Sequence, residues 1–201
     1  MGFSDFFSKQ ARKPSGLFGR FIMSMVFDKG NAFLNQFVKD LVAIQPGDHV
    51  LDIGCGTGKL IHDMAKRIDS GCVSGVDFSE TMVSLALNKN RQYVNNGTVR
   101  IQNGDFNTLP YQTGSFDKIC TVNTIYFWPE PGKTARKIFD ILKPGGLAVI
   151  AFEDMRQLEQ RNLNRDVFHL YTTDEVQDLL AASGFAHPGL SSRPRGGSLF
   201  H

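Results

Sequence analysis

The stretch Val50-Leu51-Asp52-Ile53-Gly54-Cys55-Gly56-Thr57-Gly58 decides the fold. Its first four residues are an apolar run interrupted by one acid, which reads as a buried strand. Three glycines at alternate positions then permit a tight turn and a close approach of backbone to a ligand. Beyond Lys59, the residues Leu60, Ile61, Met64, Ala65 and Ile68 recur at helical spacing. Strand, glycine turn and helix in that order make a nucleotide-cradling unit.

The alternation continues in both directions. Residues 72–77 predict a second strand, and Ser79 is a good N-cap for a helix carrying Met82, Val83, Ala86 and Tyr93 on one face. A turn at Asn95-Asn96-Gly97 leads to a third strand over 99–102, and residues 116–122 predict a fourth. Ala135, Ile138, Phe139 and Leu142 mark a helix that Lys143-Pro144-Gly145-Gly146 stops before a strand over 147–152. Strands alternating with helices across 48–152 argue for βαβ units and a parallel sheet covered on both faces. Thr172-Thr173-Asp174-Glu175 reads as a capping box opening a helix with Val176, Leu179 and Leu180, ended by Gly184. Residues 185–201, rich in Gly, Pro, Ser and Arg, predict two short edge strands.

Upstream, Phe3, Phe6, Phe7, Leu17, Phe18, Phe21, Ile22 and Met25 are interleaved with Lys9, Arg12, Lys13 and Arg20. Two short amphipathic helices are expected there, as a lid over the site, a basic peripheral contact with a membrane surface, or plain packing on the core. Phe33, Leu34, Phe37, Val38 and Leu41 lie on one face of a third helix, ended by Pro46-Gly47. The chain thus divides into a helical cap (1–45), a binding core (46–152) and C-terminal helices with edge strands (153–201) within one domain.

Bulk properties narrow the class. A chain of 201 residues with 41% hydrophobic and 21% charged residues suits one soluble core. Its net charge of +2 lacks the basic excess of a protein that lives on nucleic acid. The three cysteines, Cys55, Cys72 and Cys120, have no metal or redox spacing and read as reduced structural thiols, so a cytoplasmic setting is expected. No stretch approaches the roughly 20 apolar residues of a transmembrane helix. No His, Cys or acidic cluster has metal spacing, and no metal is expected.

Three acids, Asp52, Asp77 and Asp105, fall at or just past the ends of the first three predicted strands, where the ligand crevice of an open parallel sheet lies. Asp77, 19 positions beyond Gly58, can accept both hydroxyls of a ribose. The glycines read G-x-G-x-G rather than the G-x-G-x-x-G that seats a pyrophosphate, and Asp52 would set a negative charge beside one. A ligand with a cationic amino-acid tail suits this edge better, which weighs against a nicotinamide oxidoreductase.

Together with Gly104-Asp105-Phe106 and Leu142-Lys143-Pro144-Gly145-Gly146, these motifs resemble the class I S-adenosylmethionine-dependent methyltransferases, closest to the ubiquinone and menaquinone methyltransferase branch. The resemblance covers roughly 48–152. It implies a Rossmann-like, doubly wound α/β fold with a mostly parallel seven-stranded sheet, whose last strand is antiparallel; only residues 198–201 remain for that strand. It also implies S-adenosylmethionine as methyl donor, S-adenosylhomocysteine as product and a small-molecule acceptor. Gly54, Cys55 and Gly56 would then contact the methionine part, with Asp52 near its ammonium. Asp77 would hold the ribose, Phe78 or Met82 the adenine face, Asp105 the adenine amino group and Phe106 the ring through its N–H. Asn123 would lie near the sulfonium.

Methyl transfer is an in-line displacement that chiefly needs alignment and exclusion of water; a base matters only for a protonated nucleophile. Tyr126, Phe127 and Trp128 lie where this family builds its active-site wall, with at least one expected under the next helix. Tyr126, His169 and Tyr171 are the base candidates. A methyltransferase acting on RNA or protein, and a non-catalytic S-adenosylmethionine-binding protein, are the competing readings.

Overall fold

The computed structural model describes residues 31–153, 155–158, 168–195 and 198–200. The expected cap helices within 2–30 lie outside the described residues. Helix α1 (Ala32–Val42) follows, burying Leu34, Phe37, Val38 and Val42 against the sheet, as the apolar spacing predicts.

Strand β1 (His49–Ile53) is the central strand. It pairs in parallel with β2 (Cys72–Asp77) on one side and β4 (Phe116–Val122) on the other. With β3 (Val99–Asn103) and β5 (Leu142–Ala151) the sheet runs β3-β2-β1-β4-β5, all parallel. The chain winds outward from β1 to β3 and returns to the far side of β1 at β4. This reversal opens a crevice at the carboxyl ends of β1 and β4. Side-chain alternation along β1 sends Val50 into one apolar layer with α1 and α2 (Lys59–Ala65). Leu51 and Ile53 enter the other layer, with α5 (Pro131–Ile141) and α7 (Thr173–Ala182). Both faces of the sheet are therefore covered.

Three elements depart from the sequence expectation. The helix predicted to reach Tyr93 breaks into α3 (Glu80–Lys89) and α4 (Arg91–Asn95). Asn90 sits at the break, its buried side-chain amide donating to the carbonyls of Ala86 (2.9 Å) and Gly58 (3.0 Å), so a side chain competes with the helical ladder. Strand β5 begins at Leu142, directly after α5, rather than at residue 147. Helix α5 does end at Ile141, just ahead of the Lys-Pro-Gly-Gly segment; Gly145 takes φ +77°, and the register with β4 slips between Phe116 and Lys118, so the segment is carried inside the strand as an irregularity.

The third departure concerns the number of strands in the sheet. Among the described residues the sheet has five strands; β6 (Arg193–Arg195) and β7 (Ser198–Phe200) pair antiparallel with each other and not with β5. Runs of three residues are short for a strand of a larger sheet. Arg193 instead reaches α1, donating to Asp40 at 2.9 Å and lying over the Phe37 ring at 4.7 Å. A groove of about 970 Å³ runs beside β5, lined by Leu147, Val149, Val176, Leu180 and Phe185 among others, and none of the three strand-end acids lines it. Helix α6 (Met155–Leu158) is short, and α7 opens on the predicted capping box. There the Thr172 hydroxyl accepts from the Glu175 N–H (3.3 Å), and the Glu175 carboxylate accepts from the Thr172 N–H (2.8 Å). Among the described residues no helix is long and apolar enough to cross a membrane.

Candidate functional site

The glycine turn is shaped by what packs against it. Gly54, Gly56 and Gly58 adopt φ of +70°, +53° and +71°, a conformation strained for other residues. A side chain at Gly54 would clash with the Thr124 methyl, and one at Gly58 would meet Ala86 and the Asn90 amide. At Gly56 the missing side chain would point into open space. The first and third glycines thus serve packing, and the middle one leaves a cradle. The turn is sewn to β2 by the N–H groups of Gly54 and Cys55, which donate to the Val76 carbonyl at 2.8 and 3.1 Å.

Two acids meet behind this cradle. Asp52 is only 2% exposed, and the Cys120 thiol donates to its Oδ1 across 3.8 Å. Burial, reinforced by the charge of Asp77, pushes its carboxyl from 3.8 up to about 7. Asp77, 8% exposed at the end of β2, accepts the N–H of Gly56 on Oδ2 (2.9 Å) and that of Ser79 on Oδ1 (2.8 Å). Burial raises its pKa as well, while those two N–H groups oppose the rise. The thiols of Cys55 and Cys120 are held well above the ordinary cysteine value, burial first and the neighbouring acids second, so they stay neutral. Among the described residues no basic side chain bonds to either acid. A buried pair of acids of this kind favours a ligand bearing a cation and several donors. The residues present therefore fit a ligand with an ammonium and a ribose.

The remaining predicted residues distribute along the same edge. Asp105 is exposed two positions past β3, its Oδ1 accepting the N–H of Asn107 (2.9 Å) and the Asn107 side-chain amide (3.3 Å). Phe106 is 6% exposed and Phe78 half-buried, whereas Met82, at 1%, is a core residue of α3. Asn123 directly follows β4 at φ +56°; its amide donates to Asn31 (2.9 Å), which ties the site to the start of α1.

The aromatic segment folds into a 3-10 turn (Ile125–Phe127). Tyr126 is buried, with its hydroxyl accepting the Glu153 N–H (2.6 Å) while its proton lies within reach of the Glu153 carbonyl (3.1 Å) and Asn123 Oδ1 (3.3 Å). Trp128 is buried and donates to the Thr124 hydroxyl at 3.2 Å; Phe127, half-buried, meets Phe168 edge to face at 4.8 Å. His169 is exposed, and its main-chain N–H donates to the Tyr126 carbonyl (3.0 Å). The half-buried Tyr171 hydroxyl is raised by burial first and the Glu175 charge second. Among the described residues no three metal-binding side chains gather.

Sequence reasoning passed over Thr124, whose hydroxyl contacts that of Thr121 and whose methyl walls the glycine turn, and Lys137, which grips the turn after β3. Both act through packing between distant segments, which no local spacing signals.

A family model described as a methyltransferase domain matches residues 44–184, most of the chain and all of the site. The chain belongs to this family. The methyltransferase domain is similar to an uncharacterized methyltransferase of Bacillus subtilis, 33% identical over 123 residues that cover 61% of this chain and 66% of that protein. A demethylmenaquinone methyltransferase of Lactobacillus johnsonii is 34% identical over 117 residues, covering 58% and 48%. The chain thus matches about half to two thirds of the length of these curated relatives. In fold it resembles a SAM-dependent methyltransferase from Aquifex aeolicus, with a TM-score of 0.69 at 21% identity over 99% of this chain and 96% of that one.

Proposed function

We propose that the protein transfers a methyl group from S-adenosylmethionine to a small-molecule acceptor. The observation that carries the reading is the pair Asp52 and Asp77, buried side by side behind an open glycine cradle with no cation bonded to either among the described residues. When bound, S-adenosylmethionine supplies an electrophilic methyl on a sulfonium. Asp52 draws the ammonium of the methionine part toward the main chain of Gly54, Cys55 and Gly56. Asp77 retains lone pairs beyond its two N–H bonds and accepts from the ribose hydroxyls. Asp105 and Phe106 take the adenine edge, with Phe78 against its face, and Asn123 borders the sulfonium from the end of β4.

The acceptor side is apolar and aromatic. Phe127 and Phe168 suit a flat acceptor, as does the relative that methylates a demethylmenaquinone. The hydroxyl of Tyr126 holds the Glu153 main chain, so its part is to fix the wall; His169, exposed at the start of the segment leading to α7, is the better placed base. The near-neutral charge of +2 favours a small acceptor over RNA. Calorimetric titration with S-adenosylmethionine and S-adenosylhomocysteine tests the reading. Wild type is expected to bind both and Asp77→Ala to bind at least about tenfold more weakly, the loss of one or two charge-assisted hydrogen bonds. Absence of binding by wild type would sink it.

A further inference from the structure

The turn after β3 aims three main-chain carbonyls, those of Phe106, Asn107 and Leu109, at a single point. Three converging dipoles repel one another unless a cation sits between them. Lys137 of α5 supplies it: its ammonium donates to the three oxygens at 2.6, 2.9 and 2.6 Å, using all three of its protons. The same ammonium lies 5.0 and 5.3 Å from the ring centroids of Phe106 and Tyr111. One helical turn earlier, the buried Thr134 hydroxyl donates to Asn107 Oδ1 (2.8 Å), and the Asn107 amide in turn reaches Asp105 Oδ1. Helix α5 therefore grips the 105–109 turn at two points and, through Asn107, orients the Asp105 carboxylate. A lysine committed to three carbonyls on an otherwise half-exposed helix does little for the apolar core; what it determines is the shape of that turn.

We infer that Lys137, with Thr134, is a positioning residue that sets Asp105 and the Phe106 main chain to read the 6-amino edge of the adenine. The inference rests on the proposed S-adenosylmethionine site. Lys137 touches neither ligand nor reacting atoms; it acts by keeping the turn from relaxing when its carbonyls lose their common donor. Its removal should therefore weaken discrimination at the 6-position rather than binding in general.

The test compares binding of S-adenosylhomocysteine with that of its purine analogue, which lacks only the 6-amino group, in wild type, Lys137→Met and Thr134→Val. A charged acceptor facing the amino group gives wild type about a tenfold preference for the adenine compound. That ratio is expected to fall to within about twofold of unity in Lys137→Met and to drop in part in Thr134→Val. A merely structural loss would weaken both ligands together and leave the ratio unchanged. If Lys137→Met does not fold, the near-isosteric Thr134→Val decides alone. An undiminished ratio in a folded variant, or equal binding of both ligands by wild type, overturns the assignment while leaving the methyl-donor site intact. Binding of neither ligand by wild type removes the site itself, and the assignment with it.

Discussion

Replacing Asp52 with Asn should make the empty protein more stable and the site worse. In the folded chain the Asp52 carboxyl is 2% exposed and is raised from 3.8 to about 7 by burial and by Asp77. A raised carboxyl means that the folded state holds this proton more tightly than the unfolded chain does. Its effect on stability is thus most favourable below the unfolded value near 3.8 and is lost as pH climbs through the folded value near 7. Between pH 5 and 8 the linkage removes on the order of 2–3 kcal/mol from wild type, at about 1.4 kcal/mol per pH unit where only the unfolded state is ionised. The lowered acids Asp40, Asp63 and Asp117 contribute with the opposite sign, but they lose their stabilisation at pH values below this window. Asp77, also raised by burial, acts in the same direction in both proteins, so urea titrations at pH 5 and pH 8 should show wild type falling more steeply than Asp52→Asn, with the variant the more stable at pH 8. The same variant should bind S-adenosylhomocysteine about 10–100-fold more weakly, the scale of a lost charge-assisted contact. A wild type whose stability does not change over this range, or a variant destabilised at pH 8, would refute the claim that a buried, uncompensated charge is kept there for a ligand.

Three further perturbations probe the frame around the site. Gly54→Ala forces a side chain into φ +70° and against Thr124; a loss of about 1–3 kcal/mol is expected in denaturant titration, and wild-type stability would show that the turn can shift at no cost. Tyr126→Phe leaves the Glu153 N–H without its 2.6 Å acceptor, which should cost about 1–3 kcal/mol and lower the melting temperature; an unchanged Tm would show that the hydroxyl does not pin the wall. Thr172→Ala removes one half of the capping box and should cost about 1 kcal/mol, with faster amide exchange confined to the first turn of α7; unchanged exchange there would contradict the role assigned to the cap.

What could be read from the sequence is what is encoded locally. The glycine turn follows from three alternating glycines behind an apolar run, and the three acids follow from strand ends that hydrophobic patterning places well. The capping box of α7 is written in four consecutive residues. Nothing local marks Asn90 as a helix break, because the carbonyl that draws its amide away belongs to Gly58, 32 positions earlier. Lys143-Pro144-Gly145-Gly146 follows the end of the helix as it reads, but the pairing of Leu142 with Phe116 starts the strand ahead of it. The tail strands were legible as short, but their partner was not: an edge position on the sheet and a ribbon beside α1 look alike in a run of three residues. Lys137 was invisible for the same reason at longer range, since its three acceptors lie 28 to 31 positions away and converge only after α5 docks.

In the proposed site one ligand spans the carboxyl ends of β1, β2 and β3. A crystal structure of the protein with S-adenosylhomocysteine tests it most directly. The amino-acid part is expected on Gly54 to Gly56 near Asp52, the ribose hydroxyls on Asp77 and the adenine beside Phe106 and Asp105. Density for the ligand in the groove along β5, or a ribose that does not touch Asp77, would contradict it.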